Sequence, residues 1–266
     1  MGNKFIAAAL ALLGATAPAA SAEPKAPLKL WRLDCGSLVE PPPTPWRKAE
    51  MPVGCYLVQH GSRYLLWDAG VSARALGNAH PTIKLKRTIS DQLKDLGLRP
   101  DQIEMVAISH YHGDHTGQAT QFPKARLVIG AEDLQALRQG EPPGGSAPTH
   151  VKPWLDGAAP VSALREDLDA FGDGRVVVLR TPGHTPGHLS LLVKLASRPV
   201  LLSGDLWHSH ANVVRDEIPA FNTSHADTAA SRERVRRLVR EQDAVVILQH
   251  DDKDIADLPA FPQAAE

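Results

Sequence analysis

The chain has 266 residues, 43% of them hydrophobic and 22% charged, with a formal net charge of −1. That length and apolar share provide for one sizeable core. A near-neutral chain without a long basic run argues against a nucleic-acid-binding surface. No stretch approaches the roughly 20 apolar residues that a membrane span needs.

Met1–Lys4 carries a positive n-region, Phe5–Ala17 is an alanine-rich apolar run, and Ala20-Ser21-Ala22 offers a small-residue cleavage site before Glu23. Residues 1–22 therefore read as a signal peptide and residues 23–266 as one mature domain, periplasmic or secreted. No cysteine follows the cleavage site, which argues against a lipid anchor. Strands are predicted over 28–34, 55–59 and 64–67 from their apolar patterning. Cys35 and Cys55 are the only two cysteines. An exported chain permits either a bridge between them or two buried thiols.

Residues 40–46 contain four prolines and end in Trp46, a composition incompatible with a helix or a central strand. An amphipathic helix is predicted over 82–96, followed by a strand over 103–108. After further elements at 126–129 (strand) and 132–139 (helix) comes a second irregular stretch, 140–160, rich in proline and glycine. Both loops are long enough to serve as lids, and Trp46 and Trp154 are candidates to line a pocket beneath them. Strands at 176–179, 189–193, 200–202 and 245–248 and a helix at 226–242 complete the chain. Arg232, Arg234, Arg236, Arg237 and Arg240 in that helix are interleaved with Glu233 and Glu241 and read as a solvated face.

The chemistry is concentrated where strands end. Just after the strand at 103–108 stand His110, His112, Asp114 and His115, although histidine occupies only 12 positions of the chain. Imidazoles and a carboxylate at such density share a reason to converge if they bind a multivalent cation such as Zn²⁺. His184 follows the strand at 176–179, Asp205 the strand at 200–202, and His250 the strand at 245–248. Seven ligands at one rim suffice for two metals. His60, His80, His150, His210 and His225 show no partner pattern and read as surface residues, and His188, opening a strand, reads as structural.

With these landmarks the chain resembles the metallo-β-lactamase fold superfamily, whose His-x-His-x-Asp-His motif stands here as His110-Tyr111-His112-Gly113-Asp114-His115. The resemblance runs from about Lys29 to His250. It implies an αβ/βα four-layer sandwich of two mixed β-sheets with helices on the outer faces. It also implies that His110, His112 and His184 bind one zinc, that Asp114, His115 and His250 bind the other, and that Asp205 bridges both. Such a site retains about one positive charge when the histidines are neutral, a complement to an anionic tetrahedral intermediate. The metals would supply hydroxide near neutral pH. Asp68, at the strand end Leu66-Trp67-Asp68, matches the family's strand-end aspartate and either accepts a hydrogen bond from a ligand histidine, fixing its tautomer, or simply caps the turn.

Within the superfamily the chain is most similar to the N-acyl homoserine lactonases, through residues 53–58, the doubled Pro-Gly-His of 182–188, Ser203-Gly204-Asp205 and Gln249-His250-Asp251. The implied reaction is opening of an acyl lactone, a small-molecule substrate, by a metal-bridging hydroxide. Asp114 would pass a proton to the departing alkoxide. His208 stands where those enzymes commonly carry a tyrosine, and is a candidate catalytic residue able to donate a hydrogen bond to the developing oxyanion. Trp207 beside it is either an apolar wall for an acyl chain or core. β-Lactamase and glyoxalase II-like thioesterase activities are the alternatives. The bridging position of Asp205 counts against the first and the short segment after His250 against the second. A non-catalytic zinc-binding module would be expected to lack one of the seven ligands, and all are present.

Overall fold

Successive residues of the buried strands point into different cores, and this alternation builds the layers. The computed structural model describes residues 26–39, 50–77, 79–140, 142 and 145–266. The segment 1–22 and Trp46 lie outside the described residues. One sheet contains β1 (Leu28–Val39), β2 (Glu50–His60), β3 (Arg63–Trp67), β4 (Ile83–Lys84), β5 (Met105–Ala107), β6 (Arg126–Gly130) and β7 (Val161–Leu164), in the order β4-β1-β2-β3-β5-β6-β7. The other contains β8 (Leu168–Asp169), β9 (Val176–Arg180), β10 (Leu189–Lys194), β11 (Pro199–Leu202) and β12 (Val245–Ile247), in the order β12-β11-β10-β9-β8. Both sheets are mixed: β3, β5, β6 and β7 run parallel, as do β11 and β12, and the other pairs are antiparallel.

Val58, Leu65 and Trp67 of the first sheet meet Val176, Val178, Leu191 and Leu202 of the second in a central core. Their neighbours Leu57 and Leu66 face the opposite side, against Ile89 and Leu93 of α1 (Ile89–Asp95) and further outer residues. On the second sheet, Leu179, Leu192 and Leu201 turn away from the centre towards Val235. Three apolar cores separate four layers, so these strands are buried on both faces and read as nearly continuous apolar runs. This is the predicted αβ/βα sandwich.

The remaining helices are α2 (Gly113–Thr116), α3 (Ala131–Gln139), α4 (Lys152–Leu155), α5 (His210–Arg215), α6 (His225–Gln242) and α7 (Asp252–Ala256). The predicted helix at 82–96 is shorter than expected. Thr88 caps α1 by accepting from the Asp91 N–H, while Ile83–Lys84 pairs with the edge of β1 instead. Inside the stretch predicted as loop, Trp154 is buried in the core and donates to the Ala125 carbonyl at 2.8 Å, so it lines no surface pocket. Trp207 likewise belongs to the core behind the second sheet. Cys35 and Cys55 form a disulfide between β1 and β2, with their Cα atoms 5.9 Å apart.

Candidate metal centre

The predicted ligands meet at one rim, each carried by the end of a strand. β5 leads through Ile108 and Ser109 to His110, and the single turn of α2 carries Asp114 and His115. That turn is fixed from below: the Ala69 N–H donates to the His115 carbonyl at 2.7 Å and the Gly117 N–H to the Gly70 carbonyl at 2.8 Å. β9 ends in the loop of His184, where Gly183 has φ 138° and a Cβ would lie 2.3 Å from the Thr228 nitrogen of α6. Only glycine satisfies both constraints. β11 ends at Asp205, and β12 leads to His250.

Two groups result. His110 Nε2, His112 Nδ1 and His184 Nε2 lie 2.8, 3.1 and 3.2 Å from one another. Tetrahedral zinc with bonds of about 2.0–2.1 Å places its nitrogen ligands about 3.3 Å apart, close to this triangle. Three imidazole nitrogens in a triangle cannot all be satisfied by one another's protons, whereas one cation satisfies all three. In the second group, His115 Nε2 and His250 Nε2 lie 3.6 and 3.7 Å from Asp114 Oδ2. Asp205 joins the groups: Oδ1 is 3.3 Å from His115 Nε2 and 3.1 Å from His250 Nε2, while Oδ2 is 3.5 Å from His184 Nε2 and 3.8 Å from His110 Nε2. His115 Nε2 and Asp205 Oδ1 are buried without a hydrogen-bond partner. Buried polar atoms are rarely left so, and a shared cation between them accounts for both.

In four of the five histidines the other ring nitrogen is tied down, so that in the neutral ring the facing nitrogen carries the lone pair. His115 Nδ1 donates to Asp68 Oδ2 at 2.9 Å, His184 Nδ1 to Asn222 Oδ1 at 3.1 Å, His250 Nδ1 to the Pro52 carbonyl at 2.8 Å, and His110 Nδ1 to Ser109 Oγ at 3.0 Å. Asp68 is fully buried with φ 58°, and also accepts from the Ser109 N–H at 2.6 Å, from Ser109 Oγ at 2.8 Å and from Gln249 Nε2. Asp68 thus accepts from the Nδ1 of His115 as well as from the turn that leads to His110. His188 stays neutral. Its Nδ1 donates to the Thr181 carbonyl at 3.0 Å and its Nε2 accepts from the Asp205 N–H at 2.9 Å, so it holds the Asp205 backbone.

His208 is 2% exposed, with Nε2 3.2 Å from Asp205 Oδ2. The angles are not those of a hydrogen bond, and among the described residues neither ring nitrogen has a hydrogen-bond partner. Its ring stands edge-on to His184 and Phe221, with centroids 5.2 and 5.4 Å away. Three residues predicted as surface have partners: His60 pairs with Asp173 at 2.8 Å and stacks on Phe171, His150 Nδ1 meets Thr116 Oγ1 at 3.1 Å, and His210 pairs with buried Asp254.

Sequence reasoning missed Asn222, Asp133 and Arg232. Asp133 in α3 is fully buried, and its carboxylate accepts from Thr185 Oγ1 at 2.7 Å, the Gly187 N–H at 2.6 Å and the Tyr111 N–H at 3.2 Å. It thereby clamps the His184 loop to the His110 loop. Burial pushes its pKa up to about 7 despite those donors. Its position in the first turn of a helix is an ordinary place for an acidic residue, and nothing in the local sequence distinguishes it.

The two groups differ electrostatically. Burial holds His110 and His184 well below the usual imidazole pKa and lowers His112 to about 4. Burial acts the same way on His115 and His250, but the carboxylates of Asp205 and Asp114 outweigh it and raise both. A raised pKa means that the proton is held to higher pH, and a metal must displace it. As the pH falls, protons therefore compete with a metal at the Asp114–His115–His250 group before they do so at the His110–His112–His184 group, and the former is expected to release its ion first. Metal analysis after dialysis at stepped pH checks this, and simultaneous loss of both ions would refute it.

A four-layer sandwich with two histidine–aspartate groups at one rim defines a metal-dependent hydrolase. The sequence profile of the Metallo-beta-lactamase superfamily matches residues 50–250, and the chain belongs to that superfamily. It is similar to the N-acyl homoserine lactonase AttM of Agrobacterium fabrum (strain C58 / ATCC 33970), with 29% identity over 229 residues that cover 80% of this chain and 87% of the relative. A crystal structure of a quorum-quenching N-acyl homoserine lactone lactonase superposes with a TM-score of 0.74 at 25% identity, covering 89% of this chain and 97% of that one. AidC, a dizinc quorum-quenching lactonase, shares the fold with a TM-score of 0.66 at 18% identity, covering 91% of this chain and 90% of that one.

Proposed function

We propose that the protein is an exported, dinuclear zinc N-acyl homoserine lactonase, with His110, His112, His184, Asp114, His115, His250 and Asp205 as the metal ligands. The observation that carries this reading is the single carboxylate of Asp205 turned towards both histidine groups, in a chain similar over 80% of its length to a relative named as a lactonase. Bound zinc would supply Lewis acidity, ionising water near neutral pH and polarising the lactone carbonyl. The chain's own residues then have defined tasks. Asp114 has a side chain 16% exposed against 6% for Asp205, so it is the carboxylate open to the substrate. It takes the proton of the attacking water and returns it to the ring oxygen as the acyl C–O bond breaks, giving the N-acyl homoserine. His208, beside Asp205 Oδ2, is placed to donate a hydrogen bond to the carbonyl oxygen as it gains charge. Turnover of acyl homoserine lactones by the zinc-loaded protein, beside a β-lactam and a thioester, tests the assignment.

Export is supported by the signal-like segment 1–22 and by the Cys35–Cys55 disulfide, since such bridges persist in oxidising compartments. Intact-mass measurement on periplasmic or secreted material is expected to give a chain beginning at Glu23. A cytoplasmic protein retaining Met1 would refute export and leave the hydrolase chemistry untouched.

A further inference from the structure

Arg232 is 1% exposed in the middle of α6, whereas the other arginines of that helix are half-buried or exposed. Its guanidinium forks onto one stretch of chain. Nε donates to the Leu206 carbonyl at 3.1 Å, Nη1 to the Glu217 carbonyl at 3.0 Å, and Nη2 to Asn212 Oδ1 at 3.1 Å. Its one carboxylate contact among the described residues, Asp216 at 3.4 Å, is shared with Arg236, which lies closer at 2.6 Å. The positive charge is therefore held chiefly by carbonyl and amide oxygens. A buried cation is costly, and an apolar side chain of similar volume is often the cheaper filling. Its partners all fall within residues 206–217, the segment that leaves Asp205 and carries His208.

Asn212 links this fork to the site. Fully buried, its Oδ1 accepts both from Arg232 and from the His208 N–H at 3.4 Å, and its Nδ2 donates to the Glu217 carbonyl. The His208 ring has no hydrogen bond of its own, so its place over Asp205 depends on its backbone and on packing. We propose that Arg232 and Asn212 are positioning residues that hold the His208 imidazole over the carboxylate of Asp205, in register with the reacting oxygen. The proposal rests on the participation of His208 in the proposed lactonase reaction.

A double-mutant cycle on the zinc-loaded mature enzyme tests it, with kcat, KM and zinc content measured for Asn212→Ala, His208→Ala and the double variant. Asn212→Ala is expected to lower kcat roughly 10-fold with KM and zinc content nearly unchanged, and to add nothing further in the His208→Ala background. Arg232→Lys keeps the charge but loses the fork, and should reproduce the Asn212→Ala pattern. Multiplicative losses in the double variant would overturn the positioning role while leaving His208 functional. Wild-type kinetics in His208→Ala would instead remove His208 from the reaction and the positioning role with it.

Discussion

Asp205→Ala is expected to lower metal content from two equivalents towards one and to cut hydrolysis by roughly 10³-fold or more. The effect should exceed that of losing any single histidine. Each histidine serves one group, but the Asp205 oxygens approach four imidazoles drawn from both, at 3.1 to 3.8 Å. Removing the carboxylate would leave two cations facing each other across a buried site without the anion that offsets their repulsion. Occupancy and rate should therefore fall together. An Asp205→Ala protein that keeps two ions and near-normal kcat would show that the groups bind metal independently.

Asp114→Asn should separate metal binding from proton transfer. The amide keeps an oxygen at the position of Oδ2, so metal content should fall much less than in Asp205→Ala. It cannot take and return a proton, and kcat is expected to drop by roughly 10²- to 10⁴-fold with KM little changed. The exposure of the Asp114 side chain, together with its place 3.6–3.7 Å from His115 and His250, underlies this split. A kcat within about tenfold of wild type would take Asp114 out of the proton path.

The predicted ligands were legible in the sequence as a cluster because they follow apolar strands, directly or through one short helical turn, and a rigid strand end fixes the direction of the side chains just beyond it. Asp68 was legible for the same reason. The four-layer order was readable from apolar runs too continuous for strands with one wet face, such as Val176–Leu179. The features that escaped were set by tertiary contact. Asn222 meets His184 from a loop 38 residues later, and Pro52 meets His250 through a main-chain carbonyl that any residue could supply. Arg232 looked like one more arginine of a solvated face, and only the packing of α6 over residues 206–217 shows that it points inward. Trp154 shows the opposite error: the proline-rich stretch around it suggested a lid, but the two helical turns at Pro148–Leu155 press its ring into the core.

Substrate turnover by the zinc-loaded mature protein tests the function most directly, with an acyl homoserine lactone, a β-lactam and a thioester followed in parallel. A lactonase opens the acyl homoserine lactone with a kcat/KM well above that for the other two, loses that activity on chelation, and regains it as zinc is returned up to two equivalents. No lactone opening beside rapid β-lactam or thioester cleavage would contradict the assignment, and full activity at one equivalent would contradict the dinuclear site.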